Sequence, residues 1–185
     1  KYLSIDGNGA YAPLLHDGNG TLYINDLTVE HGRKYFTSAQ IDNARGGCIF
    51  SGGSVFLSNS RVDDCVVSDT DNNYLALGGG IYAYAGVSLS NSAVTNSKSL
   101  NGWGGGIYSK SFVDVTDSFI AGNSAYEKGG GIYAYNGLNI KYSTIDSNHA
   151  GYNGGGAFGY GNITITNSTI SNNDSDDRGG GVFMG

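Results

Sequence analysis

The sequence has 185 residues, 39% of them hydrophobic, enough for one folded domain with a continuous core, which excludes a disordered chain. Glycine takes 32 positions, far above the usual ~7%, yet Pro13 is the single proline and no Gly-X-Y period exists, so collagen is excluded. Ten basic against 16 acidic side chains give a formal net charge of -6, which disfavours a nucleic-acid partner, and no run of ~18 apolar residues offers a membrane span.

In chain order, Leu3-Ser4-Ile5-Asp6-Gly7-Asn8-Gly9 reads as a strand and corner. The opening Lys1 to Ile5 lacks the charged and apolar regions of a signal peptide. Leu22, Ile24, Leu27 and Val29 continue the alternation, so residues 1–45 are expected to form divergent first coils. A regular unit begins at Gly46-Gly47-Cys48-Ile49-Phe50, and glycine triplets then open at Gly78, Gly104, Gly129, Gly154 and Gly179, 26, 25, 25 and 25 residues apart. The extra residues of the first regular unit fall in Val66 to Leu77. Each unit runs glycines, an aliphatic, an aromatic, a short alternating segment such as Val87-Ser88-Leu89 or Ile163-Thr164-Ile165, then serine, an aliphatic and commonly asparagine.

Two or three short strands per unit cannot enclose a core alone, but stacked units pair each strand with its equivalent one coil away. The expected fold is all-β: a right-handed parallel β-helix of six to seven coils of about 25 residues with three sheets, covering 1–185 as one domain. The inward ladders are Ile49, Ile81, Ile107, Ile132, Ala157, Val182; Val55, Val87, Val113, Leu138, Ile163; Leu57, Leu89, Val115, Ile140, Ile165; and Val62, Val94, Ile120, Ile145, Ile170. Ser60, Ser92, Ser118, Ser143 and Ser168 form a serine row at a bend, and Asn123, Asn148 and Asn173 mark a turn. Because Gly179 to Gly185 looks like the opening of a further unit and no initiator Met is present, the sequence reads as part of a longer chain.

The glycine triplets and I/V-x-x-N endings, as in Gly104-Gly105-Gly106-Ile107 with Ile120-Ala121-Gly122-Asn123, resemble the repeats of polymorphic outer-membrane proteins and related bacterial β-helix surface proteins over roughly residues 17 to 185. That resemblance implies an extracellular or cell-surface location and an adhesin or autotransporter-passenger type of molecule. The sequence departs from such proteins in carrying no outer-membrane barrel.

Several chemical readings fail on spacing. No Gly-Lys-Ser/Thr follows the triplets, which removes a phosphate loop, and Ile-Tyr stands where a calcium-binding nonapeptide needs Asp. Pectate-lyase-like β-helices use clustered acids with a basic partner. The candidates are Asp63, Asp64, Asp114, Asp117 and Asp146, with Arg61, Lys110 and Lys141 nearby. Asp63 and Asp146 share a frame position but lie three coils apart, roughly 14 Å at ~4.8 Å per strand, and no frame position collects acids from adjacent coils. His16, His31 and His149 form no ligand spacing or triad. No catalytic residue, metal or cofactor is therefore assigned. Cys48 replaces the third glycine of its unit and Cys65 the later asparagine. They form either a disulfide across the cross-section or two small buried thiols.

The strongest candidate surface is aromatic. Phe50, Tyr82, Tyr108, Tyr133, Phe158 and Phe183 follow the inward aliphatic and are expected to face outward, with Tyr84, Tyr135 and Tyr160 two residues further on and Tyr74, Trp103, Tyr126 and Tyr152 at nearby corners. Such a stripe either stabilises the coils by stacking or binds a cell-surface glycan or protein; an inverted register would make it core. The binding reading selects Tyr82, Tyr84, Tyr108, Tyr133, Tyr135, Phe158, Tyr160 and Trp103. Rival readings are a polysaccharide lyase or hydrolase and a fibre segment assembling with copies of itself.

Overall fold

The structure is a computed structural model and describes residues 3–37, 44–71 and 75–185. It is a right-handed parallel β-helix in which every strand pairs with its equivalent in the neighbouring coils. Among the described residues four sheets line the rod, of seven, six, seven and six strands. Within a coil the chain visits them in the order I to IV, represented by Ile107–Ser109, Phe112–Thr116, Phe119–Ala121 and Ser124–Ala125. The three-sheet expectation is corrected here: sheet IV is made of strands as short as Lys98–Ser99 and Ser124–Ala125, and two residues are too few to display alternation.

Alternation accounts for the interior. Ile81, Ile107 and Ile132 pair in register, as do Val87, Val113 and Leu138, and Val94, Ile120 and Ile145; all are buried in one continuous core cluster. Each such side chain contributes about 1.5–3 kcal/mol on burial, and the ladder arrangement places like shapes on like shapes.

The corners need left-handed backbone, which the repeat supplies at three phases. Between sheets II and III stand Asp26, Asn59, Asn91, Asp117, Tyr142 and Asn167; between III and IV stand His31, Asp64, Asn96, Gly122, Ser147 and Asn172. The third phase is the first glycine of each triplet, such as Gly104 at φ +67°. The second glycine is needed for space, since a Cβ on Gly105 would collide with the carbonyl oxygens of Ser124 and Gly130. The third, Gly106, lies against the Asn123 side chain.

Two polar ladders close the bends. The Ser60, Ser92, Ser118 and Ser143 N–H groups donate to the hydroxyls of Ser92, Ser118, Ser143 and Ser168 one coil on. The asparagines do more than mark a turn: Asn123 and Asn148 are 1% exposed and point inward. Asn123 donates both its backbone N–H and its side-chain amide to Asn148 Oδ1, and Asn148 donates both to Asn173 Oδ1. Cys48 and Cys65 occupy the third-glycine and asparagine positions of their coil. These positions touch in every later coil, and here the two sulfurs are joined in a disulfide with Cα atoms 5.5 Å apart.

Candidate functional site

The register places the rings of Phe50, Tyr82, Tyr108, Tyr133, Phe158 and Phe183 on the outer side of sheet I, away from the aliphatic core. They stack in near-parallel planes with centroids 4.8–5.6 Å apart. The expectation of an exposed stripe nevertheless needs correction, because Tyr82, Tyr108, Tyr133 and Phe158 are at most 4% exposed and form a second core cluster. The cover is the row immediately before the glycine triplets. Arg45, Leu77 and Trp103 are bridged to one another in successive coils, as are Lys128, Asn153 and Arg178. The left-handed first glycine turns this row back over the rings. Trp103 stacks on Tyr133 at 5.1 Å and donates its indole N–H to Glu127. Arg45 lies over Tyr82, and Lys128 over Trp103 and Phe158. Burial raises the pKa of the Tyr82, Tyr108 and Tyr133 hydroxyls.

The aromatics that reach solvent lie two residues further along. Tyr84 and Tyr135 are 56% and 51% exposed. Their backbone pairing puts Tyr84, Lys110, Tyr135 and Tyr160 in one row over four consecutive coils. Lys110 Nζ lies 4.7 Å from the Tyr84 ring centre, Tyr160 lies 5.5 Å from Tyr135, and Tyr160 stands edge-on to Phe158 in the buried stack. Of the eight side chains singled out from sequence, Tyr82, Tyr108, Tyr133 and Phe158 are thus interior and Trp103 half-covered, while Tyr84 and Tyr135 are exposed and Tyr160 continues their row half-buried against the stack. Tyr74 lies outside the described residues.

The acids also need correction. Sheet III pairs Asp6 with Glu30 and Glu30 with Asp63, so one outer frame position does carry carboxylates in three adjacent coils. The signal was present in sequence, since Leu3-Ser4-Ile5-Asp6 and Leu27-Thr28-Val29-Glu30 share the frame of Ser60-Arg61-Val62-Asp63; neither coil opens on a glycine triplet, and the frame was not extended to them. His31, set apart by spacing alone, lies 3.1 Å from Asp6 and 4.0 Å from Asp64. Arg33 and Arg61 pair with Asp64 and Asp63 at 2.8 and 3.0 Å. Asp6, Glu30 and His31 bring their ligand atoms within 4.8 Å of one another, a set able to hold a divalent cation. The backbone N–H of Asn8, against a smaller opposing effect of burial, lowers the pKa of Asp6, with His31 adding to it. Burial pulls Asp63 upward, but hydrogen bonds from Thr95, Asn96 and Arg61 outweigh it and leave it below the ordinary value. By contrast Asp114 and Asp117 stand in other rows, and Asp146 shares the row of Asp63 but is separated from it by Thr95 and Ala121; Asp146 is lowered by the hydroxyls of Ser171 and Ser147 and the amide of Asn172. His16 bonds Ser51 at 2.8 Å, and His149 lies 3.4 Å from Asp174.

A groove of about 980 Å³ follows the corner between sheets II and III, lined by residues including Leu27, Asn59, Asn91, Phe119 and Tyr142. No helix among the described residues is long and apolar enough to cross a membrane. No curated protein and no solved structure matches the chain. Residues 117–135 match the Chlamydia polymorphic membrane protein repeat, and in this fold they make up sheets III, IV and I of a single coil, from Phe119–Ala121 to Ile132–Ala134.

Proposed function

We propose that the chain is a rigid extracellular or cell-surface rod that binds a cell-surface glycan or protein through the row Tyr84, Lys110, Tyr135 and Tyr160. The observation that carries this reading is the division of the aromatics into a buried stack and an exposed row on the same flank. Exposed rings held on a rigid sheet lose little conformational entropy on binding, and their flat faces suit sugar rings or an apolar protein surface. A buried disulfide fits an oxidising compartment, and the matched repeat is by its description that of a polymorphic membrane protein. Changing Tyr84, Tyr135 and Tyr160 together to Ser should abolish binding to a glycan array or to cultured cells while moving the melting temperature by only a few degrees. Changing Tyr82, Tyr108 and Tyr133 to Ser should instead collapse the melting temperature. Retained binding in the first variant would reject the row as the site.

A second reading, a cation-assisted polysaccharide lyase or hydrolase, is favoured by one observation only: Asp6, Glu30 and Asp63 stand in register beside Arg61. It requires chelator-sensitive cleavage of an acidic polysaccharide that is lost in Glu30→Gln.

A further inference from the structure

The outer face of sheet IV carries a second, smaller hollow of about 420 Å³, on a different flank from the tyrosine row. Its sides are Leu100, Tyr126 and Tyr152, and its far end is His149 and Asp176. Register explains the shape. Lys98, Ser124, His149 and Asp174 form one outward row, and Leu100, Tyr126, Gly151 and Asp176 follow two residues on. Gly151 stands in that second row between Tyr126 and Asp176, where a Cβ would collide with the Tyr126 carbonyl oxygen. Tyr126 and Tyr152 are 58% and 50% exposed although they sit on a rigid sheet corner. His149, Asp174 and Asp176 bring one ligand atom each within 4.8 Å of one another. Among the described residues Asp174 forms an ion pair with His149 and no lysine or arginine pairs with Asp176.

We infer that this hollow is a binding site for an amino sugar: a pyranose ring carrying a free ammonium group. Two exposed phenol rings lining one hollow offer a platform for the C–H face of a sugar. The Asp176 carboxylate, with Asp174 beside it in the adjacent row, then supplies the charge that an ammonium group requires, and the tyrosine faces add to its attraction. A neutral sugar would use the platform and leave the carboxylates unrewarded, and a uronic acid would be repelled by them. The flat platform also distinguishes the ligand from a lysine side chain, which has no ring face to stack. The assignment does not depend on the row Tyr84, Tyr135 and Tyr160.

The test is a titration of the isotopically labelled chain, in the presence of chelator, with the glucosamine disaccharide, cellobiose, digalacturonate and trilysine. The glucosamine disaccharide should shift the amides of Tyr126, Gly151 and Asp176 and bind at least about tenfold more tightly than cellobiose, with digalacturonate not binding there. Tyr126→Ala with Tyr152→Ala should abolish that binding. Asp176→Asn should weaken the amino sugar about tenfold and leave cellobiose unchanged, and all variants should keep the wild-type melting temperature because the altered side chains are exposed. Equal binding of cellobiose and the glucosamine disaccharide, equal binding of trilysine, a requirement for a divalent ion, or shifts confined to other residues would each overturn the assignment. The Tyr84, Tyr135, Tyr160 variant should bind the disaccharide normally, which separates this site from the proposed function.

Discussion

At the scale of single residues, the corner between sheets II and III shows how the chain departs from its own rule. Five of the six left-handed positions there are Asp26, Asn59, Asn91, Asp117 and Asn167, whose short polar side chains tolerate that backbone by bonding locally; the sixth is Tyr142 at φ +50°. Its ring is 59% exposed, so it gains little from packing in exchange for the strain. Tyr142→Asn should therefore stabilise the fold by about 1 kcal/mol, read as a higher urea midpoint at unchanged slope. An unchanged or lower midpoint would mean the corner is not strained. Asn123, Asn148 and Asn173 were legible as turn markers, but the left-handed residue of that corner stands one position before each of them. Asn172 adopts the left-handed turn, whereas Asn123 and Asn148 sit one position later and face the interior.

At the scale of elements, Asn148 and Asn173 are each acceptor to two donors of the coil before. Asn148→Ala leaves the backbone N–H of Asn123 and one of its two side-chain N–H groups buried without an acceptor, the other still donating to the Val94 carbonyl, and each such orphaned group costs about 1–3 kcal/mol. The variant should lose about 3 kcal/mol, while Asn148→Ser should lose less, because Ser97 already accepts from the Cys65 N–H at the equivalent place. Equal losses would show that packing, not hydrogen bonding, sets the position's worth. Sheets I to III were legible because their strands are long enough to alternate and recur every 25 or 26 residues. Sheet IV was not, and neither was the cover on the aromatic stack. Alternation fixes which side of a strand Tyr108 leaves from, but says nothing of Trp103, which arrives from the preceding corner. The acid row was missed for another reason: Asp6 and Glu30 lie in coils that open on no glycine triplet, so only the short alternation Leu27-Thr28-Val29, not the glycine period, aligned them with Asp63.

At the scale of the whole molecule, the rod has two cores running side by side, an aliphatic one enclosed by the sheets and an aromatic one roofed by the corner row. Stability in such a stack is nearly a sum over neighbouring coils, so titration of a few groups beside the aromatic core should be visible in the stability of the rod. Lys34 lies over the Phe36 and Phe50 rings and donates to the Arg45 carbonyl at 2.9 Å. Burial, reinforced by the charge of Arg45 and only partly opposed by Asp17, lowers its pKa from 10.5 to about 8. Below about 8 both folded and unfolded chains hold this proton; above it the folded chain sheds the proton while the unfolded chain keeps it up to 10.5, so stability rises with pH in that interval. The stacked tyrosines act in the opposite sense. Their folded pKa values exceed the ordinary 10.0, so the unfolded chain ionises first and stability falls as pH climbs above 10.0. Urea midpoints measured from pH 7 to 11 should therefore climb beyond pH 8, peak near pH 10 and then decline. Lys34→Met, which keeps the apolar stem over the rings, should raise the midpoint at pH 7 and flatten the climb while leaving the alkaline decline in place. Superimposable profiles for the two proteins would show that Lys34 titrates as a solvated lysine and that the end of the aromatic stack is open to water.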